Sequence, residues 1–371
     1  MQESADVVVV GAGVTGCGVA RQLATDRDVL VVDRSGVAAE ATGRAAGLVA
    51  PTLFYKDAPD VARHANAFFR EFDGTRHFEF TERDRYDLVT EDGVSDASAD
   101  AERLADLGFP VEFLDAEEIE RRVPRFVVDN YAAGVHYGDT GWVDPYSYTV
   151  ALKRDAEARG ATFAVGVEVT GVEPGRVETT DGIVECADVV VAAGWRTRDL
   201  VDADLPLAAY RTQCVVLEPE EPLGDDFPLG RLGDRGLYFR PEHNGDLLIG
   251  GSHQRMADPT GASTQADESF EREIALTVPE ILRGFDHAGL VNGWAGVDSA
   301  TPDARPVVDR VDGVVVAAGF NGLGIMISPA AHAAVTELVA EEEEAPFDRS
   351  VFALDRFEGG GDFELTTTSD L

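Results

Sequence analysis

Lysine is nearly absent from this chain of 371 residues: only Lys56 and Lys153 occur, and every other basic residue is arginine. Bases are few altogether, 31 against 69 acids, for a net charge of -38. A surface of that sign excludes DNA, RNA and anionic membranes as natural partners, because little on it would neutralise phosphate. Cysteine is scarce too. Cys17, Cys186 and Cys214 lie far apart with no CxxC spacing, which argues against a disulfide framework and for buried free thiols of a cytoplasmic protein. The seven histidines form no HxxxH or HxH pair, so no metal site is expected. No apolar run approaches the roughly eighteen residues of a membrane-spanning helix. The first strand begins too early to leave room for a signal peptide.

What is present begins with the spread of the acids. They run along the whole chain beside a hydrophobic content of 44%, so the sequence describes a folded protein with an acidified surface rather than a disordered acidic one. The pattern resembles that of halophilic archaeal proteins, whose salt-filled cytoplasm screens like-charge repulsion within a few ångströms. A chain this long exceeds the size at which single cores stop growing, and two domains are expected.

The segment Asp6 to Arg34 names a ligand class. Four valines, Val7 to Val10, have the pattern of a buried parallel strand, and GAGVTG (Gly11, Ala12, Gly13, Val14, Thr15, Gly16) turns it directly into a helix. Gly11 permits a tight turn, Gly13 lets backbone approach a pyrophosphate, and Gly16 lets helix and strand pack closely. The helix start offers unpaired N–H groups and partial positive charge to an anion. A second apolar strand, Val29 to Val32, ends at Asp33, seventeen residues beyond Gly16, near the spacing of an acid that bonds an adenosine ribose. The unit predicts a Rossmann-like α/β domain holding a dinucleotide.

Further along, Glu40 to Pro51 is small and glycine-punctuated, as a backbone running close to a ligand would be. Helices are expected over Pro59 to Asp73, Ser98 to Leu107 and Ala116 to Val123, and over Asp144 to Phe163 with Asp144–Pro145 as the start and Gly160 as the stop. IVECADVVVAAG (Ile183 to Gly194) has the pattern of a buried strand returning to the nucleotide-binding sheet. Strands around Tyr210 to Pro219, Gly236 to Glu242 and Asp246 to Ser252, with a turn at His243 to Gly245, belong to a second, antiparallel-sheet α+β domain. Val311 to Glu341 repeats the opening logic of strand, glycine loop and helix. The expected domains are 1–83 with 142–205 and 290–371 for the dinucleotide, and 84–141 with 206–289 for the substrate. The tail after Phe357, rich in glycine and polar residues, is expected to fray.

The opening fingerprint, ATGRAAG, GWVDPYSY, ECADVVVAAGW, LYFRPEHNGDLLIGGS, WAGVDSATPDARPVV and AAGFNGLGIMISPA together resemble the FAD-dependent amine and amino-acid oxidoreductases of the D-amino-acid oxidase superfamily, in the branch of glycine oxidase, sarcosine oxidase and sarcosine dehydrogenase. The resemblance implies that Gly11, Ala12, Gly13, Val14, Thr15 and Gly16 hold the FAD pyrophosphate and Asp33 the ribose. Arg34, Thr42, Gly43, Arg44, Ala45, Ala46 and Gly47 would follow the rest of the cofactor, Val169 would touch adenine through its backbone, and Ala193 and Gly194 would flank the nucleotide. Gly319, Asn321, Gly322, Leu323, Gly324 and Ile325 would meet the flavin's pyrimidine edge, where a helix start stabilises developing negative charge. The implied reaction is hydride transfer from the carbon beside nitrogen to flavin N5, giving an imine that water hydrolyses. The enzyme's part is positioning.

The chain departs from this family where substrate choice is written. Asp298 stands where glycine oxidases carry an arginine, Gly322 at a second arginine position, and Met326 where sarcosine oxidases carry a lysine. Replacement anchors are sought in Arg240, which alternates with Tyr238 on one strand face, and in Arg211 and Arg255. Asp298 itself is a candidate to face an ammonium group or to bond a neighbouring N–H. The lysine that sarcosine oxidases hold for oxygen reduction would fall near Leu248, with no lysine nearby, so fast use of O2 is not implied; the oxidant is O2 or another electron acceptor, the latter as in a dehydrogenase. Gly296 occupies the position of the flavin-linking cysteine, which implies non-covalent FAD. His64 and His253 are candidate linkage or catalytic groups. Beside amine oxidation stand 2-hydroxy-acid oxidation and a flavin-binding subunit of a dehydrogenase complex. A nicotinamide-only enzyme would leave the second glycine loop without a role.

Overall fold

The computed structural model describes residues 2–340, 344–359 and 363–366. Its organising element is the strand Ser4–Val10, in which Val7, Val8 and Val9 are wholly buried. β-Branched side chains suit a strand covered on both faces, which explains the unbroken valine run. The strand lies between two parallel neighbours, Val29–Asp33 and Gly182–Val191. Thr162–Val165 extends the sheet beyond the first neighbour and Val314–Ala318 beyond the second, both parallel. The chain thus runs outward one way from its first strand and later the other way. The reversal falls between Ser4–Val10 and Gly182–Val191, and a ligand crevice opens at the C-terminal ends of strands at such a point.

Helices Val14–Leu23, Pro145–Ala158 and Gly324–Val339 pack together beside this sheet. Pro145–Ala158 starts as the sequence implies: the Asp144 carboxylate accepts from the Ser147 N–H at 2.7 Å, and Gly160 beyond its end takes a φ of 111°. The helix expected over 98–107 begins earlier, at Val94.

A second eight-stranded sheet runs in the order Gly289–Ala300, Ala208–Glu218, Leu247–Met256, Leu237–Pro241, Leu229–Leu232, Arg85–Val89, Ala133–Tyr137 and Val111–Asp115. Its neighbours pair antiparallel, except that Leu229–Leu232 and Arg85–Val89 are parallel, with Leu229 opposite Arg85 and Arg231 opposite Asp87. That pair joins two segments of the chain far apart in sequence into one sheet. The boundary expected at 290 is displaced, because Gly289–Ala300 pairs along its length with Ala208–Glu218 and so belongs to the second sheet. Its glycines, and exposed Leu290 and Val291, hide the two-residue alternation that would have marked it as a strand of this sheet.

The prediction of a frayed tail falls partly outside the described residues. Within them, Thr366 accepts through its backbone carbonyl from Asn321 Nδ2 at 2.9 Å, and its hydroxyl donates to the Pro302 carbonyl at 3.0 Å. No helix among the described residues is long and apolar enough to cross a membrane, and no group of three metal-ligating side chains occurs among them.

Candidate active site

One long cleft follows the crevice of the first sheet and continues between it and the second sheet. At its nucleotide end, Gly11 has a φ of 108° and a side chain there would meet the Ala192 carbonyl oxygen at 2.4 Å. A Cβ on Gly16 would lie 1.9 Å from the Gly11 carbonyl, so strand and helix touch backbone to backbone. Gly13 precedes the helix Val14–Leu23, whose start has no side-chain cap of its own. A Cβ on Gly13 would approach Thr42 Oγ1 at 3.1 Å, and that hydroxyl accepts from the Val14 N–H at 3.2 Å. Gly13, Val14, Thr15 and Thr42 line the cleft, which makes this helix start a cradle open to an anionic group.

Asp33 is pinned at the cleft by three backbone donors: Ala12 N–H at 2.8 Å on Oδ2, and Ser35 and Gly36 N–H at 2.7 and 2.8 Å on Oδ1. Oδ1 is filled by its two donors, while Oδ2, with one, keeps acceptor capacity enough for a ribose hydroxyl. Beside it Arg34 pairs with Glu40 at 2.5 Å, while burial and the nearby Arg34 charge lower the basicity of Arg196. Val169, Ala193 and Gly194 line the same end.

The second glycine loop is held in an unusual backbone path. Gly319, Asn321 and Gly322 have φ values of 82°, 51° and 80°. Asn321 tolerates its left-handed conformation because its buried side chain replaces missing backbone contacts: Oδ1 accepts from the Thr301 N–H at 2.9 Å and Nδ2 donates to the Thr301 carbonyl at 3.1 Å. The loop delivers the uncapped start of the helix Gly324–Val339 to the cleft, where Leu323, Gly324, Ile325 and Met326 line the wall. Two helix starts therefore face one cleft.

The second sheet closes the other side with Tyr210, Thr212, Cys214, Tyr238, His253 and Asp298. Burial raises the Tyr210 and Tyr238 phenols well above their ordinary range and pushes the Cys214 thiol up to about 11, so these groups are neutral at physiological pH. Asp298 accepts from the Ser299 N–H at 2.8 Å, the Gly322 N–H at 2.9 Å and the Tyr210 hydroxyl at 3.4 Å. Desolvation raises its carboxyl above the usual range despite these donors. Asp298 thus both faces the cleft and bonds backbone.

Several expected residues serve elsewhere. Arg240 does not line the cleft. Its Nε donates to the Ala46 carbonyl at 2.6 Å, NH1 pairs with Glu242 at 3.1 Å, and the guanidinium lies 4.1 Å from the Trp142 ring centroid. It shares a strand face with Tyr238 but sits beneath the 44–47 loop, where its work is structural. Arg211 turns toward Asp267, at 2.8 Å. Arg255 lies over Phe363. His64 stands beside the Pro329 carbonyl and the Phe347 ring, away from the cleft lining. Ala12, Gly16, Gly43, Gly319 and Asn321 support the cleft from behind rather than lining it. Unforeseen in the sequence are Phe54, Arg85 and Arg231, which line the cleft from strands and a short helix far apart along the chain.

These features, two glycine-turned helix starts on one cleft with an acid at the second strand's end, are those of a dinucleotide-binding protein. The family model for FAD dependent oxidoreductases matches residues 6–338, and the chain belongs to that family. Glycine oxidase of Geobacillus kaustophilus (strain HTA426) is 27% identical over 377 residues, spanning 95% of this chain and 97% of that protein. Mitochondrial dimethylglycine dehydrogenase of Rattus norvegicus is 28% identical over 370 residues, 88% of this chain but 42% of that longer protein. Among solved structures, L-proline dehydrogenase from P. horikoshii superposes with a TM-score of 0.89 at 22% identity, covering 98% of this chain and all of that one. The glycine oxidase structure from G. kaustophilus gives 0.86 at 24% identity over 96% of this chain. At these identities the structural likeness speaks for the fold.

Proposed function

We propose that the chain oxidises the C–N bond of a small amine or amino acid, of the glycine, sarcosine or D-amino-acid type, with non-covalently held FAD. The observation that carries this reading is the continuity of the cleft from the Gly13 helix start to the wall of Tyr210, Tyr238 and Asp298. It gives one extended ligand a nucleotide end and a reaction end. The curated relatives named glycine oxidase and dimethylglycine dehydrogenase support the substrate class.

Gly13, Val14, Thr15 and Thr42 would hold the pyrophosphate, Asp33 the ribose, Val169 the adenine, and Leu323 to Ile325 the pyrimidine edge. FAD, when bound, supplies a hydride acceptor at N5. The protein's own contribution is to hold the amine carbon against that acceptor, exclude water with Tyr210, Tyr238 and Met326, and present helix-start N–H groups to developing negative charge. As hydride leaves the carbon, the nitrogen lone pair forms the C=N bond. Water then adds to carbon and releases the amine and a carbonyl product.

Non-covalent attachment is favoured because Gly296 packs against Arg44 and carries no thiol, while the thiol of Cys214 is protonated at neutral pH. The described cleft lining contains no lysine, which favours an electron acceptor other than O2. The acidic composition and the free cysteines support a place in a salt-rich, reducing cytoplasm.

Product analysis tests the reaction. Incubation with the accepted amine and an artificial acceptor should release ammonia or methylamine in equal amount with a carbonyl compound. Turnover of 2-hydroxy acids alone, without nitrogen release, would replace this reading by the hydroxy-acid one.

A further inference from the structure

Asp298 carries a charge that no cation pairs with among the described residues. It is half-buried in the cleft wall, on the edge strand Gly289–Ala300. Each of its partners is neutral: the Ser299 N–H on Oδ1 at 2.8 Å, and the Gly322 N–H and Tyr210 hydroxyl on Oδ2 at 2.9 and 3.4 Å. The other titratable groups around it lie on neighbouring elements. Tyr210 and Tyr238 are phenols that burial keeps neutral. His253 lies against the Tyr210 ring, with 5.6 Å between centroids, and Arg255 stands opposite Tyr210 in the strand register. Arg44 packs its aliphatic stem near Gly296 and gives NH1 to the Ala39 carbonyl at 2.9 Å. The glycine loop offers Asp298 only the Gly322 N–H.

Oδ2 is filled by its two donors, while Oδ1, with one, keeps a place for another. Ligands that fill the cleft expel water from this wall, and a carboxylate left without solvent or cation is costly. A neutral or anionic group beside it offsets none of that cost. An ammonium supplies both a donor to Oδ1 and the opposite charge, through a short charge-assisted bond. Desolvation also raises the proton affinity of this carboxyl. A proton on Oδ1 leaves Oδ2 bonded to Gly322 and Tyr210, so the tie to the glycine loop survives the change of charge.

We propose that Asp298 receives the ammonium group of the substrate and takes its proton, so that the amine binds as a cation and reacts as the free base. This rests on the amine-oxidation reading above. In the step an N–H bond breaks, its electron pair stays on nitrogen, and the proton forms an O–H bond with Oδ1. The lone pair so freed makes the C=N bond as hydride leaves the carbon. Asp298 returns the proton to solvent once the product has gone. It is then a catalytic residue as well as the anchor of the loop.

The test uses the FAD-loaded protein at constant ionic strength and three probes of similar shape, tert-butylammonium, tert-butanol and pivalate. None has a hydrogen on the carbon beside its polar group, so none can be oxidised there. Binding is read from the flavin's visible absorbance and from the rise in Tm. Wild type should bind the ammonium at least about tenfold more tightly than the alcohol, with pivalate weakest, whereas Asp298→Asn should bind ammonium and alcohol within about twofold of each other. The pH profile of kcat/KM with the accepted amine reads the proton. In wild type it should be flat between the pKa of Asp298 and that of the substrate amine, because ionised Asp298 reacts with the ammonium form. In Asp298→Asn only the free amine reacts, and kcat/KM should rise about tenfold per pH unit toward the amine's pKa. A wild type that binds tert-butylammonium no better than tert-butanol overturns the proposal without recourse to any variant, and so does an Asp298→Asn profile parallel to wild type. Charge selectivity that Asp298→Asn abolishes, in a protein whose flavin no amine bleaches, would keep the ammonium site and remove the amine reaction with its proton step. Amines that bleach the flavin of both proteins alike, with no preference for the cationic probe, would do the reverse.

Discussion

Asp298 Oδ2 accepts from the Gly322 N–H at 2.9 Å, tying the edge strand of the second sheet to the glycine loop that begins the last long helix. The bond fixes the second-sheet wall of the cleft against the loop proposed to meet the flavin's pyrimidine edge. Asp298→Ala removes acceptors from two backbone donors and should cost about 1–3 kcal/mol of stability with a weaker hold on FAD. Asp298→Asn, which keeps one carbonyl acceptor, should lose less. Thermal melts and FAD titration of both variants check this; an alanine variant with wild-type FAD affinity would show the tie to be dispensable.

Arg240 is expected to matter for stability and not for substrate affinity. Its removal strands the buried Ala46 carbonyl and takes the partner from part-exposed Glu242, at a cost of about 1–3 kcal/mol. Arg240→Met should therefore lower Tm and leave KM for the accepted amino acid unchanged. A raised KM with an unchanged Tm would return Arg240 to the site.

His332 provides a pH signature. Its Nε2 lies 3.1 Å from the Val14 carbonyl, and its ring presses on Gly18, where a Cβ would come within 1.9 Å of it. Burial pushes its pKa from 6.5 to about 3, so the folded protein keeps the ring neutral while the unfolded chain protonates it. The stability contributed is complete above pH 6.5 and is lost as pH falls toward 3, at up to about 1.4 kcal/mol per pH unit. His332→Gln should flatten the dependence of Tm on pH across that window. Parallel wild-type and variant curves would exclude His332 as a source of the acid lability.

Salt should stabilise the protein. With a net charge of -38 the folded surface repels itself, and raising ionic strength shortens the screening length from about 8 Å at physiological salt to about 3 Å at 1 M. Tm should rise on transfer from dilute buffer into concentrated KCl, and structure should be lost on dialysis into low salt. A Tm indifferent to KCl would contradict the halophilic reading.

The end of the cleft proposed for the nucleotide was legible in the sequence because its signals are local. A valine strand, three glycines, a helix start and an acid occupy one short segment, and the structure brings Gly11, Gly13 and Asp33 to the same crevice. The opposite wall of the cleft is assembled by pairing that no local pattern encodes. Arg85 and Arg231 come beside one ring, Phe54, because Leu229–Leu232 lies parallel to Arg85–Val89. Alternation placed Arg240 on the face of Tyr238, as the structure has it, but period two does not say what covers each point along that face. Here it is the Ala46 carbonyl and Trp142.

The most direct measurement is an anaerobic visible spectrum of the protein purified in concentrated KCl, before and after adding sarcosine, glycine, D- and L-proline, D-alanine and 2-hydroxy acids in turn. A flavin-dependent amino-acid oxidoreductase should show a yellow flavin spectrum that an amino acid bleaches, with the cofactor released intact on denaturation. A colourless protein that takes up no flavin on reconstitution would contradict that assignment.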